Sequence, residues 1–227
     1  MSDPPEIRVT IAAPPSEVWD ALRDKDRIRH WHGWEFDGGP DGGLEQEIEL
    51  IYFTDVETDE RGILLNGGDR IDIEAVDGGT QVTLTRAAPS DDPEWSGYYD
   101  EITEGWITFI QQLRFAVEHH PHDPRRTVFL AGPVSVSPVQ ALGAEGIAPD
   151  EAYELTFPGS SGSGRVLFRS AHQLGLTVDE WDDGLLVLSH DPSKGVGMAL
   201  LSLYGVDESR HAQLDALWNE WWKGISQ

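Results

Sequence analysis

DPEWSGYYDEITEGWITFIQQLRFAV, residues 92–117, is the stretch whose reading decides the fold. Tyr99, Ile102, Trp106, Ile110, Leu113 and Val117 recur at steps of three and four, so they share one stripe of a long amphipathic helix. Asp92 is placed to cap that helix, and Pro93 stands where a first-turn proline is tolerated. His119, His120 and Pro121 mark its end. The stripe is rich in aromatic rings, so its partner must be a broad apolar surface. The expectation is a helix gripped by a sheet, with a cavity between them.

The sheet is read upstream of the helix. Residues 6–12, EIRVTIA, alternate, with Ile7, Val9 and Ile11 on one face. Pro14 and Pro15 end this strand and open a short helix, SEVWDALR, whose apolar side is Val18, Trp19 and Leu22. Residues 26–32, DRIRHWH, read as a second short helix. After a turn-rich loop, GGPDGG, residues 44–54 read as a strong strand, with Leu44, Ile48, Leu50 and Tyr52 facing inward and Glu45, Glu47 and Glu49 outward. Residues 61–65 give a shorter strand. Residues 70–76, RIDIEAV, and 80–86, TQVTLTR, form a hairpin across Asp77-Gly78-Gly79. Its inward residues are Ile71, Ile73, Ala75, Val82 and Leu84. Strands follow one another rather than alternate with helices, so the class is α+β.

The second half runs through the same kinds of element. Residues 121–126 read as a linker between a domain at 1–120 and another at 127–227. Strands are expected at 127–131, 152–157, 165–168, 174–178, 185–189 and 198–204, with a short helix at 137–142. GSSGSG, residues 159–164, reads as a flexible loop. Residues 208–225 close the chain as a helix with Leu214, Leu217, Trp221 and Ile225 on its stripe. Both halves end on a tryptophan-bearing helix after a run of strands, which reads as a degenerate internal duplication.

Composition narrows the function. The 227 residues carry a net charge of -25, with 28 acidic and 9 basic residues in 1–123 and 13 and 7 in 124–227. Such a field disfavours nucleic acid and anionic membrane surfaces as partners. Cysteine is absent, which removes disulfides, thiolate metal sites and cysteine nucleophiles. No apolar run approaches the roughly 20 residues of a membrane span, and the first residues lack the pattern of a secretory leader. A cytoplasmic protein is expected.

The order of these elements resembles a known family. The residues that carry the resemblance are the Pro14-Pro15 helix start, Val18-Trp19, Trp31, the Asp77-Gly78-Gly79-Thr80 hairpin, and Gly105-Trp106. Over roughly residues 5–119 the chain resembles the START-like (SRPBCC, birch-pollen-allergen-fold) superfamily. Within it, the chain looks most like the bacterial activator-of-heat-shock-ATPase-homologue (AHSA-like) group. The resemblance implies a helix-grip fold, a curved antiparallel sheet wrapped around the long helix. The second half, read above as a second, divergent tandem copy, departs from the family's pattern where the tryptophan-bearing DRIRHWHG should recur, since residues 143–149 hold no tryptophan. Members of the superfamily bind lipids, polyketides or other apolar molecules, and some are cyclases or aromatases.

The chemistry expected is correspondingly simple. Trp31, Trp34, Leu50, Tyr52, Ile73, Trp95, Tyr99, Ile102 and Trp106 are expected around a cavity that takes an apolar small molecule, unless these rings themselves fill the space. A cyclase or aromatase would need an ionisable group in that cavity, and His30, His32 and Tyr99 are the candidates. His30 and His32 stand two apart, do not share a helix face, and read more simply as surface histidines on a lid. A protein-interaction or chaperone-regulating module is the third alternative. His119, His120, His122 and Asp123 lack a scaffold for a metal, so neither metal nor cofactor is expected. No nucleophile elbow, zinc-protease motif, phosphate loop or dinucleotide fingerprint is present. His172 and His190 read as ordinary surface or satisfied histidines.

Overall fold

The structure, a computed structural model, describes residues 5–36, 43–88 and 99–227. The chain divides into two compact units, Met1–His122 and Asp123–Gln227. In the first, strand β1 (Glu6–Ile11) leads to helices α1 (Pro15–Arg23) and α2 (Lys25–Ile28). Pro15 opens α1 with its φ already set for a helix, and Glu17 and Arg23 suit the two ends of its dipole. Val18, Ala21 and Leu22 are buried, whereas Trp19 is only half-buried. Asp24 caps α2, its Oδ1 accepting from the Asp26 N–H at 2.9 Å. The second helix ends at Ile28, earlier than expected, and the chain turns to Gly33 in a left-handed conformation.

The next element corrects the sequence reading. Residues 44–52 are a helix, α3 (Leu44–Tyr52), and not a strand. Leu44, Ile48 and Tyr52 satisfy both a two-residue and a four-residue period, but only they are buried, at i, i+4 and i+8. Leu50, which a strand would turn inward, is 57% exposed. Leucine, glutamate and glutamine favour the helix, and Glu45 and Glu47 complement its positive end.

Strands β2 (Glu57–Thr58), β3 (Gly62–Leu64), β4 (Arg70–Val76) and β5 (Gly79–Thr85) then form a meander. The sheet is antiparallel, in the order β1-β5-β4-β3-β2. Thr80, Val82 and Leu84 are buried along β5. On β4 only Ile71 is buried; Ile73 is half-buried and Ala75 exposed, contrary to the expected alternation. Gly79 is required where β1 crosses the hairpin: a Cβ there would stand 2.0 Å from the Ile11 carbonyl oxygen. The long helix α4 (Tyr99–His119) closes the unit and packs on β1 and α1. The expected Asp92 cap and Pro93 lie outside the described residues.

The second unit repeats this plan with an extra strand. It comprises β6 (Arg125–Pro133), α5 (Pro138–Ala141), β7 (Ala152–Phe157), β8 (Ser160–Arg169), β9 (Gln173–Val178), β10 (Gly184–Asp191), β11 (Val196–Tyr204) and α6 (Glu208–Ile225). Its antiparallel sheet has the order β6-β11-β10-β9-β8-β7. In both units the first strand lies beside the last, the others follow in reverse, and a long helix comes after. The fold is α+β, a helix-closed antiparallel sheet made twice.

Two expectations fail in this unit. GSSGSG is not a flexible loop, because residues 160–164 belong to β8. Its glycines serve close approach instead: a Cβ on Gly162 would stand 2.2 Å from the Phe157 ring. The buried stripe of α6 is Leu214, Trp218, Trp222 and Ile225, so Leu217 and Trp221 are displaced to its flank. Three tryptophans within five positions fit either stripe. Contact with Phe157 and Trp181 settles the choice, both rings lying within 5.8 Å of Trp218.

Candidate functional site

Three of the nine expected cavity residues converge beneath α4. Trp31, Tyr52 and Trp106 are buried and meet edge to face, Tyr52 lying 5.7 Å from Trp31 and 6.5 Å from Trp106. The Trp31 indole donates to the Ala21 carbonyl at 2.9 Å, which fixes its orientation. Trp34 reaches the cluster through Phe109, 6.2 Å away. Ile73 is half-buried on β4, and Leu50 stands on the exposed side of α3. Tyr99 and Ile102 belong to the first turn of α4, where Ile102 is 40% exposed. Trp95 lies outside the described residues.

The centre of the cluster is His32, which is fully buried and therefore not a surface histidine. Its imidazole is wrapped by Trp31, Tyr52, Trp106 and Phe109, with Phe109 4.5 Å away. Tyr52 Oη lies 2.9 Å from His32 Nδ1, and Glu47 Oε1 lies 3.4 Å from His32 Nε2. Burial, and then the charge of Glu47, push the Tyr52 phenol well above its ordinary range. The phenol thus keeps its proton; because the Glu47 carboxylate can only accept, a neutral imidazole carries its N–H on Nε2 and accepts the Tyr52 O–H hydrogen bond at Nδ1. The outcome is a carboxylate–imidazole–phenol chain running from a partly exposed glutamate into the aromatic interior.

Helix α3 makes this chain possible. As a helix it splays its three glutamates, sending Glu45 to Arg29 and Glu49 to Lys25, each at 2.9 Å, and only Glu47 to His32. A strand would have kept all three on one outer face. His32 is also locked from behind: Gln112 on α4 donates to the carbonyls of Trp31 at 2.8 Å and Gly33 at 3.3 Å.

A second polar group holds the start of α4. Arg86, at the end of β5, pairs with Asp69 through Nε at 3.0 and 3.1 Å to its two carboxylate oxygens. Arg86 also donates to Thr103 Oγ1, and its guanidinium lies 4.6 Å from the Tyr99 ring centre. Asp69 accepts the Ala87 N–H at 2.7 Å, and the Tyr99 hydroxyl donates to the Ala87 carbonyl at 2.8 Å. Sequence reasoning missed Arg86, Asp69, Phe109 and Gln112. An arginine ending an alternating strand was the available signal for this ion pair.

The remaining histidines do not join the cluster. His119 closes α4 and stacks on Phe115, and His120 is buried beside it. His172 Nδ1 lies 3.3 Å from the His190 carbonyl oxygen in the second unit. Among the described residues, no three His, Asp or Glu side chains are grouped to hold a metal ion. Among the same residues, no helix is long and apolar enough to cross a membrane.

Comparison with known proteins gives structural likenesses of low identity. The chain is similar to DynU16, a protein of the dynemicin biosynthetic locus, with a TM-score of 0.37 and 15% identity over 98% of this chain and 96% of that one. It is similar to an AHSA1-like protein from Rhizobium etli, with a TM-score of 0.36 and 21% identity over 53% of this chain and 84% of that one. It is also similar to the di-domain ARO/CYC StfQ of the steffimycin biosynthetic pathway, with a TM-score of 0.36 and 13% identity over 90% of this chain and 85% of that one. No family model and no curated protein matches the chain.

Proposed function

We propose that residues 1–120 bind an apolar small molecule against the first turns of α4, and that residues 127–227 are a divergent second copy of the fold. One observation carries the reading. The stripe of α4 is sealed at Ile110, Leu113 and Val117 but open at Ile102, on the same face. An apolar guest covering Ile102 would complete the burial that the second half of the stripe already has. Trp106 and Phe109 supply the adjoining aromatic wall. The test is native mass spectrometry of the protein purified from its own host, followed by binding of the retained compound to Ile102→Asp. A retained apolar compound that the variant releases supports the reading; a protein free of small molecules overturns it.

A second reading, a cyclase- or aromatase-type enzyme, is favoured by the Glu47–His32–Tyr52 chain. Ionisable groups within hydrogen-bond reach beside an apolar surface are what proton transfer from an enolisable substrate requires. Here Tyr52 Oη would receive the substrate's proton as it passes its own to His32 Nδ1, and Glu47 would stabilise the resulting imidazolium. The test is conversion of the retained compound by wild type and His32→Asn. Turnover lost with binding intact supports chemistry; binding without turnover in either protein leaves the carrier reading alone.

A further inference from the structure

The clamp that holds the start of α4 leaves one of its nitrogens unspent. Arg86 follows Thr80, Val82 and Leu84 in the alternation of β5, so it continues their buried face one residue past the strand. Its Nε–H is shared between the two oxygens of Asp69, at 3.0 and 3.1 Å. Its Nη1 donates to Thr103 Oγ1 and, at 3.4 Å, to the Tyr99 carbonyl. Nη2 makes no hydrogen bond among the described residues. Nor is it sealed in: the buried side-chain atoms left without a partner among those residues are Gln111 Oε1 and Trp218 Nε1. The Tyr99 ring, 4.6 Å from the guanidinium, fixes the plane of the fork. Two N–H groups of a side chain only 5% exposed are thus held ready at the surface. The neighbouring opening is that of Ile102. Tyr99, Ile102, Thr103 and Trp106 stand at steps of three and four, so Ile102 shares a side of α4 with the two residues that Arg86 grips. The other polar groups here are committed. The Thr103 hydroxyl donates to the Tyr99 carbonyl at 2.8 Å, the Tyr99 hydroxyl to the Ala87 carbonyl at 2.8 Å, and Asp69 accepts the Ala87 N–H at 2.7 Å.

We propose that Arg86 is the polar anchor of the small-molecule site, and that the guest is an apolar molecule bearing a neutral carbonyl oxygen, which accepts from Nη2 while the carbon frame covers Ile102. This rests on the apolar site proposed above. The oxygen is neutral for a reason of charge. Asp69 already balances Arg86, and residues 1–123 carry 28 acidic against 9 basic side chains, so a guest carboxylate would set a second negative charge beside Asp69. A neutral carbonyl takes the donor without that repulsion. A guest with no oxygen would strip water from Nη2 and leave it unpaired.

The test titrates the full chain with probes of matched frame, indane, 1-indanone and sodium indane-1-carboxylate, at fixed ionic strength, following the Ile102 amide signal by nuclear magnetic resonance. 1-Indanone is expected to bind about fivefold more tightly than indane, the worth of one net hydrogen bond, and the carboxylate more weakly than either. Without a donor the order of the first two reverses, because the ketone gives up more hydration on entry. The infrared carbonyl stretch of bound 1-indanone should lie below its value in hydrocarbon solvent. In Asp69→Leu/Arg86→Met, which orphans no buried charge, both the lowered stretch and the preference for the ketone should be lost. Should that variant not fold, the order of affinities and the stretch in the wild-type chain decide by themselves. Indane binding as tightly as 1-indanone, or a stretch at its hydrocarbon-solvent value, overturns the anchor and leaves the apolar site standing. Tightest binding by the carboxylate overturns the neutral class of guest. An Ile102 amide unmoved by any probe overturns the apolar site, and this inference with it.

Discussion

The two units share a strand order but not a kind of interior. In the second unit, Leu185–Leu188 of β10 and Leu200, Leu201 and Leu203 of β11 are fully buried, and the stripe of α6 is buried along its length. In the first, the interior holds an imidazole and an ion pair, His32 and Asp69–Arg86, with Thr108 and Gln112, whereas the buried polar side chains of the second are Arg125, Thr127, Gln173 and Ser202, away from the stripe of α6. A buried polar side chain lowers stability unless it is fully hydrogen-bonded. The topology is common to both units, and the difference between the interiors is the reason the proposed site is placed in the first.

Substitutions sharpen this contrast. The largest effect is expected from Trp218→Ala in the second unit, about 3–5 kcal/mol for removing a fully buried indole from an apolar core. Urea denaturation followed by amide signals should show the second unit lost first; equal loss of both would break the contrast. Asp69→Ala should cost about 3 kcal/mol, because it leaves Arg86 buried without its partner. Double substitution of Asp69 and Arg86 by apolar residues should recover part of that loss. Failure to recover would show that the pair sets the geometry rather than merely satisfying its own charges.

Smaller effects probe the polar chain. Tyr52→Phe should cost about 1–2 kcal/mol at neutral pH through loss of the bond to His32. It also has a pH signature. The Tyr52 phenol is raised above 10.0, so its contribution is fully present below that pH and is lost as pH rises toward the folded-state value. The variant should therefore lose stability less steeply than wild type above pH 10, read by alkaline denaturation. The smallest effect is expected from Leu50→Gln, within about 0.5 kcal/mol, since this side chain faces solvent. A loss above about 2 kcal/mol would restore Leu50 to the interior and contradict the helical reading of α3.

Much of this was legible in the sequence, for reasons that differ by element. β1, β5 and the second half of α4 have unambiguous periods that tertiary contacts did not override, whereas β4 kept its span but not its alternation and α6 its span but not its stripe. α3 was misread because Leu44, Ile48 and Tyr52 fit both periods, and only the burial of the rest breaks the tie. Trp31, Tyr52 and Trp106 could be named as neighbours because large rings on successive apolar faces have few places to go. The role of His32 could not, because its partner Glu47 had been assigned to the wrong face. The glycines of β8 read as flexibility because the Phe157 ring that needs their bareness is distant from the pattern, though near in space.

The clamp of Arg86 on Asp69, Thr103 and Tyr99 has one further effect on the open end of α4. Oily contacts slide and shut when nothing separates them, whereas a carboxylate held by the shared Arg86 Nε–H and the Ala87 N–H keeps a fixed spacing. For the guest proposed above, a doorway framed in this way would keep its width beforehand, and the cost of forming it would be met during folding rather than at the moment of entry.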